Sequence, residues 1–578
     1  MMSDNNNNSS SSSSSSSSND NLHIVSFNVA GWKTTLIKIN NNFGTVENWL
    51  VSLKIDILCL QEVKMKKNDA DKTYAEIPGY ESFWSFPNVS SVSTLSEKDK
   101  KTKQVRSGLN GCTTFVRKGL VTSANCKPLE DDFDNEGRVV LTEHGNFVVY
   151  NVYVPFSGVS YDRFCSKMYF LELLDKSMDK QRKLGKKVIL CGDLNTTSSA
   201  IDCSPAYRYV NIKRLLTTNP INNDAIQKLQ MAWPAIHECL DSVTYEYDEE
   251  NSKFKIYCNY DEKKYFLGSS NEQPIKDFFF GEVMLSDDGY VCKESSEYVL
   301  TKNQLYLTKT KADRQGHIPV SSYTSSGKYY CIHKEGFLER SNLEKLYDVV
   351  QKHNEIKTGK QRMYLSNLQW DEIVNRFGAP CHSVASVEWL NKLLSVDSVT
   401  GTRMVDSFRA TYPSTNYRFT CWDQSTNCRY QKNVGNRIDY ILVDADLWDQ
   451  NKLEMNDRSL HNGVLGNEND KYSDYERALR ANTANGKYKE VTPESKGLTV
   501  PDKDAIELHI KHPPHTGMIY TPPDYSDHIA VSILIKKPEG CANLILANDS
   551  NTKECQPTKK QTSITSFFTA PAKKQKLG

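Results

Sequence analysis

The sequence predicts an α/β protein in which two sheets stack between outer helices, with a polar site at the strand ends. Three observations carry that expectation. Short β-branched runs alternate with stretches of helical spacing through the N-terminal third of the chain, the pattern of layered α/β folds. Several of these runs end on Asn, Glu or Asp. The same strand-with-carboxylate pattern returns at Asp439, after a long interruption.

In chain order, Leu22-His-Ile-Val-Ser-Phe-Asn-Val alternates and reads as a strand. Residues 42–54 have helical spacing, with Val46, Trp49, Leu50 and Leu53 on one face. Ile55-Asp-Ile-Leu-Cys-Leu-Gln-Glu is a buried strand ending on a carboxylate, and residues 111–116, 147–154 and 187–193 are further strands, with a helix over about 161–184. Residues 205–385 read as a folded insertion, because they hold too many aromatics for a linker. Within it, 275–307 is β-like, 338–357 is helical, and Ser366 caps a helix with Gln369 at the third position and Gly378 closing it. Residues 451–521 read as a polar loop, and 529–535 as a last strand. The Asn/Ser tract 1–20 and the tail 538–578 read as disordered, and 21–537 as one domain carrying the two insertions.

Composition excludes some classes. No apolar run of about 18 residues exists, so no membrane span is expected, and the N-terminal tract lacks the apolar core of a secretory signal. The 15 Cys include no Cys-x-x-Cys pair, which argues against a zinc ribbon; several lie in apolar runs and read as buried thiols of a reducing compartment. A net charge of +1, from 72 basic and 71 acidic residues, gives no global sign of nucleic-acid binding, although a sum hides local patches.

Taken singly, the polar strand ends are weak signals. Asn28 and Gly192-Asp193-Leu-Asn195 can be turns, Glu62 a solvated terminus, and Ser526-Asp527-His528 a loop. Asp439 inside an apolar strand needs a partner, since an unpaired buried charge costs several kcal/mol. Together, Asn28, Glu62, Tyr153, Asp193, Asn195, Asp439, Asp527 and His528 suit phosphodiester hydrolysis. Hard carboxylate oxygens fit Mg²⁺ (or Mn²⁺), and an Asp can hold a His in one tautomer or keep it cationic.

The ordered motifs Ser-Phe-Asn28-Val-Ala-Gly-Trp, Leu-Gln-Glu62-Val-Lys, Asn-Val-Tyr153-Val-Pro, Gly-Asp193-Leu-Asn195, Arg437-Ile-Asp439-Tyr and Ser-Asp527-His528 resemble the endonuclease/exonuclease/phosphatase superfamily. Asp406-Ser-Phe-Arg409, Thr420-Cys-Trp422 and Gly435-Asn-Arg-Ile-Asp-Tyr440 are similar to its exonuclease III type AP endonucleases, and Thr-Cys-Trp to the second, clamp-binding class. The resemblance covers about 21–204 and 386–537. It implies a four-layered α/β sandwich and a Mg²⁺-dependent enzyme on double-stranded DNA with abasic or 3′-blocked lesions. It further implies roles. Glu62 is the main metal ligand, with Asn28, Asp527, Asp193, Asn195 and His528 around the ion. Asp193 orients or deprotonates the attacking water, assisted by Asn195. His528, backed by Asp439, contacts the phosphate, and Tyr153 lies near the leaving oxygen. Trp422, Phe419 and Arg437 are placed on the DNA side. Ala30, Phe156 and Asn436 depart from the family pattern and leave 3′-end cleaning as open as abasic incision.

Gln561-Thr-Ser-Ile564-Thr-Ser-Phe567-Phe568 resembles a sliding-clamp (PCNA) interaction motif, in which one turn of 3₁₀ helix sets Ile564, Phe567 and Phe568 on one face. The adjoining Lys-rich residues 571–577 read as a nuclear import signal or a phosphate contact. The expectation is a nuclear, monomeric enzyme with no membrane contact. Two rivals remain: a phosphoesterase of the same superfamily acting on lipid, inositol phosphate or RNA, and a non-catalytic clamp-binding scaffold. The clamp motif and the DNA-type motifs oppose the first; the clustered carboxylates oppose the second.

Overall fold

The computed structural model describes residues 20–88, 110–157, 161–218, 223–270, 337–380, 384–396, 403–422, 434–453 and 514–557 (except 520, 523 and 542), with short strands between 283 and 319. The Asn/Ser tract, most of the 451–521 loop and the motif at 561–568 lie outside the described residues.

Twelve strands build two six-stranded mixed sheets. They are β1 (Asn21–Asn28), β2 (Ile57–Gln61), β3 (Tyr80–Ser85), β4 (Cys112–Arg117), β5 (Ser123–Asn125), β6 (Val139–Glu143), β7 (Phe147–Tyr153), β8 (Lys187–Asp193), β9 (Met404–Asp406), β10 (Asp439–Asp444), β11 (Gly517–Ile519) and β12 (Ala530–Lys536). One sheet runs β11-β12-β1-β2-β4-β3, the other β9-β10-β8-β7-β6-β5. Each has one parallel pair at its centre, β1 with β2 and β7 with β8, and antiparallel pairs outside.

Side chains alternate between faces along a strand, and both faces of the central strands are buried, which is why those strands read as nearly continuous apolar runs. Ile24, Ile57, Cys59, Val149, Ile189, Cys191, Ile441 and Ile533 face inward and form the core between the sheets. The intervening Val25, Phe27, Leu58 and Leu60 pack on Trp32, Leu36, Trp49 and Leu50 of helices Trp32–Phe43 and Val46–Ser52. On the other side Val148, Tyr150, Val188 and Leu190 pack on Phe170, Leu171 and Leu174 of helix Tyr161–Lys183. The result is helix, sheet, sheet, helix, the four layers expected. Gln61 crosses the middle: its Nε2 donates to Asn151 Oδ1 of the opposite sheet (2.7 Å) and to Ser26 Oγ (3.0 Å).

The residues read as an insertion have their own core. Leu229, Ile236, Ile256, Leu343, Leu346, Trp370 and Ile373 cluster where helices Asp224–Asp241, Arg340–Thr358 and Asn367–Phe377 meet a three-stranded sheet spanning 244–270. The Ser366 capping box forms as expected, with Gln369 Oε1 accepting from the Ser366 amide at 2.9 Å. Gly378 follows in an extended conformation. Glycine is needed there because a Cβ would lie 2.0 Å from Val374 O.

Two expectations are corrected. Helical residues 42–54 shorten to Val46–Ser52, because Gly44 has φ 78° and Thr45 caps the new helix by accepting from Asn48 N; the preceding helix Trp32–Phe43 was hidden by its Lys and Asn content. The chain also does not leave the fold at residue 537. Cys541 and Cys555 are fully buried in the inter-sheet core, Asp549 caps helix Ser550–Cys555, and Thr552 Oγ1 accepts from Ala124 N at 3.0 Å. This segment covers β3 and β5, the edge strands of the two sheets, whose unpaired backbone groups would otherwise face solvent. Among the described residues no helix is long and apolar enough to cross a membrane.

Candidate active site

The site is the wet end of the inter-sheet core. Along each inward-facing row, apolar side chains give way to polar ones toward the strand end: Ile189, Cys191, Asp193; Val149, Asn151, Tyr153; Val443, Ile441, Asp439; Ile24, Ser26, Asn28. Strand register then does the assembly. Asp193 lies opposite Tyr153 in the parallel pair and opposite Asp439 in the antiparallel one. Asn28 lies opposite Gln61, so Glu62 falls one residue beyond the end of its strand.

Asn28 joins the two sheets. Its Nδ2 donates to Glu62 Oε1 (3.0 Å) and to Asp193 Oδ2 (2.9 Å), while its Oδ1 accepts from the Ala30 amide (3.1 Å). Asp193 Oδ1 also accepts from the Asn195 amide (2.9 Å), and the Asn195 side chain donates to Val154 O (2.9 Å). His528 Nδ1 meets Asp439 Oδ2 at 2.8 Å, which turns Nε2 toward Asp193 Oδ2, 4.0 Å away. Asp439 Oδ1 is buried with no hydrogen-bond partner. Ser526 Oγ donates to Asn28 O (2.7 Å) and accepts from the His528 amide (3.1 Å), and so fixes the loop that carries His528.

The local backbone is unusual. Ala30, Glu62 and Asn195 all have φ near +50°, a sparsely populated conformation for non-glycine residues that collects at functional sites. Gly192 has φ 137°, and a Cβ there would lie 1.9 Å from Val152 O. Gly192→Ala is therefore expected to cost about 2–5 kcal/mol through steric overlap and strain, read as a lowered midpoint in urea unfolding. An unchanged midpoint would contradict this close approach of β7 and β8.

Three carboxylates share this pocket, and their electrostatics differ. Burial, and then the Asp439 charge, push the Asp193 carboxyl up to about 7, with His528 pulling the other way. Burial acts against ionisation of Glu62 as well, but Lys64, whose Nζ is 2.9 Å from Oε2, and the Asn28 amide outweigh it and hold Glu62 below the usual range. Burial would discharge His528, yet the Asp439 carboxylate holds its pKa well above the ordinary value and so favours the cationic ring. Burial and the Glu62 and Asp193 charges raise the Tyr153 hydroxyl, which stays protonated.

Sequence reasoning missed three supporting cations. Lys64 neutralises Glu62, a role hinted at by its place two residues on. Arg138 stacks over the Tyr153 ring (5.1 Å) while paired to Glu136 (2.7 Å). Lys167 is buried on the inner face of its helix and donates to Asn195 O (2.6 Å); burial draws its pKa down to about 7, against the pull of Asp193. The available signal was slight, because this helix is only weakly amphipathic.

The model of the endonuclease/exonuclease/phosphatase family matches residues 25–222. This segment is similar to a domain of that family. The chain is 30% identical over 203 residues to DNA-(apurinic or apyrimidinic site) endonuclease 2 of Xenopus laevis, covering 32% of this chain and 38% of that protein. It is 28% identical over 205 residues to the Homo sapiens protein of the same name, covering 31% and 40%. It is 27% identical over 189 residues to Recombination repair protein 1 of Drosophila melanogaster, covering 32% and 23%. The alignments thus span two-fifths or less of these relatives' own length. Among solved structures, the crystal structure of the Xenopus laevis APE2 catalytic domain aligns with a TM-score of 0.37 at 19% identity, covering 75% of this chain and 85% of that one.

Beyond the matched segment, the residues expected on the DNA side need correction. Arg437 is 1% exposed; its Nε donates to Asp202 Oδ1 (2.7 Å) and its Nη2 to Asp406 Oδ2 (2.6 Å), so its charge is engaged internally. Phe419 is 1% exposed and belongs to the inter-sheet core. Trp422 is also buried, but its amide donates to Asp527 O (3.1 Å), which places it beside the site. Asp527 approaches His528 and Cys421 rather than Glu62. The motif Asp406-Ser-Phe-Arg409 serves the fold: Asp406 caps helix Ser407–Thr411, and Arg409 joins Arg437 on Asp202.

Proposed function

We propose that the chain is a divalent-metal-dependent DNA repair phosphodiesterase. It would incise the backbone at abasic sites and clear blocked 3′ ends in the nucleus, acting as a monomer tethered to a sliding clamp (PCNA). The observation that carries this reading is the joining of both sheets' polar ends through Asn28, with Asp193 in the middle and an Asp-backed cationic His beside it. The names of the relatives point the same way.

A divalent cation suits the donor set. Glu62, Asp193 and Asp439 crowd negative charge into one pocket; burial first and then the Asp439 charge raise the proton affinity of Asp193, and Lys64 leans on Glu62. Glu62 and Asn28 would hold the ion, with Asp193, Asn195, Asp527 and His528 around it. Mg²⁺, or Mn²⁺, would supply Lewis-acid stabilisation of phosphoryl oxygens. Asp193, near neutrality in its proton affinity, takes the proton of the attacking water. Asn195 positions that water. The cationic His528 stabilises charge developing on the phosphate. Tyr153 offers a hydroxyl hydrogen to the departing oxygen.

The test offers the purified chain, with Mg²⁺, duplex DNA bearing either an abasic analogue or a blocked 3′ end. Cleavage of either is expected, with Glu62→Gln at least about a hundredfold slower. Hydrolysis of phospholipid or inositol phosphate in place of DNA would favour the same-superfamily rival, and no hydrolysis at all the scaffold. For the tether, Phe567→Ala with Phe568→Ala is expected to abolish clamp pull-down while sparing cleavage of short duplexes; undiminished pull-down would remove the motif from the proposal.

A further inference from the structure

Beside the phosphodiesterase centre lies a group of donors that Mg²⁺ chemistry does not call for. Strand Cys421–Trp422 pairs with Gly435–Asn436, and a bridge between Cys421 and His528 sets these two residues side by side. One donor atom each from Cys421, Asp527 and His528 lie within 4.8 Å of one another, and Cys421 and Asp527 are partly exposed, so an ion can enter from solvent. Mg²⁺ takes oxygen ligands, whereas a thiolate with an imidazole and a carboxylate selects Zn²⁺-class ions. Tetrahedral zinc with bonds of about 2.0–2.3 Å sets its ligand atoms roughly 3.5 Å apart, so closure by about an ångström completes three positions.

The second contact of His528 fits this use. Asp439 Oδ2, 2.8 Å from Nδ1, fixes the ring so that Nε2 is the outward nitrogen. A carboxylate behind a histidine is the usual support of a metal-bound imidazole. Water can take the fourth position.

We propose that Cys421, Asp527 and His528 form a thiophilic divalent-cation site, and that Zn²⁺ held there inhibits the phosphodiesterase by removing His528 Nε2 from the phosphate. Binding forms bonds from Sγ, one carboxylate oxygen and Nε2. It releases two protons to solvent, one from the Cys421 thiol, which burial keeps protonated, and one from Nε2 of the imidazolium. The inhibitory half rests on the proposed role of His528; the binding half does not.

The experiment therefore reads binding and inhibition separately. Full-length protein is titrated with Co²⁺ as a spectroscopic substitute, then with Zn²⁺ during Mg²⁺-supported cleavage, each variant against its own zinc-free rate. Wild type is expected to show sulfur-to-cobalt charge-transfer absorption in the near ultraviolet. Cys421→Ser is expected to lose that band and to need at least tenfold more Zn²⁺ for half-inhibition, with Asp527→Asn weakening both. The difference between wild type and variant is the readout, so zinc bound at other thiols does not count. An identical cobalt spectrum in Cys421→Ser overturns the site. A lost band with unchanged zinc sensitivity overturns the inhibition. If the chain cleaves no DNA, the spectrum still decides the site. Should Cys421→Ser unfold, Cys421→Ala and Asp527→Asn carry the same comparison.

Discussion

Asp193→Asn is expected to leave the chain folded and to slow phosphodiester cleavage by about a thousandfold, within the span of about 10² to 10⁴ attributed to a positioned general base. Asp193 draws on both sheets, accepting from Asn28 of the opposite sheet and from the Asn195 amide. Asparagine keeps the shape but turns one acceptor into a donor that opposes Asn28, and it cannot take a proton from water. The same change should help folding. The Asp193 pKa is raised on folding, so its stabilising contribution is present at low pH and lost as pH rises from the unfolded value through about 7. With divalent ions chelated, Asp193→Asn should therefore match wild type in thermal midpoint near pH 4 and exceed it near pH 8. A variant that cleaves at the wild-type rate would remove Asp193 from the chemistry. One that melts earlier at pH 8 would show that the carboxylate is not strained by its neighbours.

Arg437→Met should be the most destabilising single change near the site, by about 3–5 kcal/mol, because it strips two buried carboxylates of their main cation. Asp202 is fully buried; burial alone would raise its pKa, yet Arg437 and then Arg409 drive it well below the usual carboxylate range. A depressed folded pKa means stability that is present above the unfolded value and lost only as pH falls through the folded one. Wild type should thus resist acid down to strongly acidic solution, and Arg437→Met should begin to lose stability at a higher pH, as its Asp202 protonates more readily. Urea midpoints at pH 7 and pH 4 read both effects. Because Arg437 is interior, the KM for DNA of the folded fraction should not change; a tenfold rise would restore it to the DNA side.

What was legible in the sequence follows from how each residue is used. Strand β8 was read with its observed bounds because both its faces are buried and its end is polar. The Ser366 helix announced itself through reciprocal capping. The edge strands β3 and β5 were not seen, since Tyr-Glu-Ser-Phe-Trp-Ser and Ser-Ala-Asn carry as much polar content as a loop. Asn28, Glu62, Tyr153, Asp193, Asp439 and His528 converge as a set, because register turns strand ends into neighbours. Arg437 misled because an Arg before a catalytic-looking Asp looks the same whether it faces DNA or two buried carboxylates. Lys167 went unread because only tertiary packing brings its helix to Asn195.

The docked C-terminal segment has a consequence for reach. With Cys555 sunk in the core and Thr552 bound to Ala124, the anchored body extends to about residue 557, and only three residues, hence four Cα-to-Cα steps, separate Pro557 from Gln561. Fully stretched, they span at most about 14 Å. A ring gripping Gln561 would ride close against the edge strands β3 and β5 rather than at the end of a long leash. Its local concentration at the enzyme would be set by that short span, and lengthening the linker should dilute it.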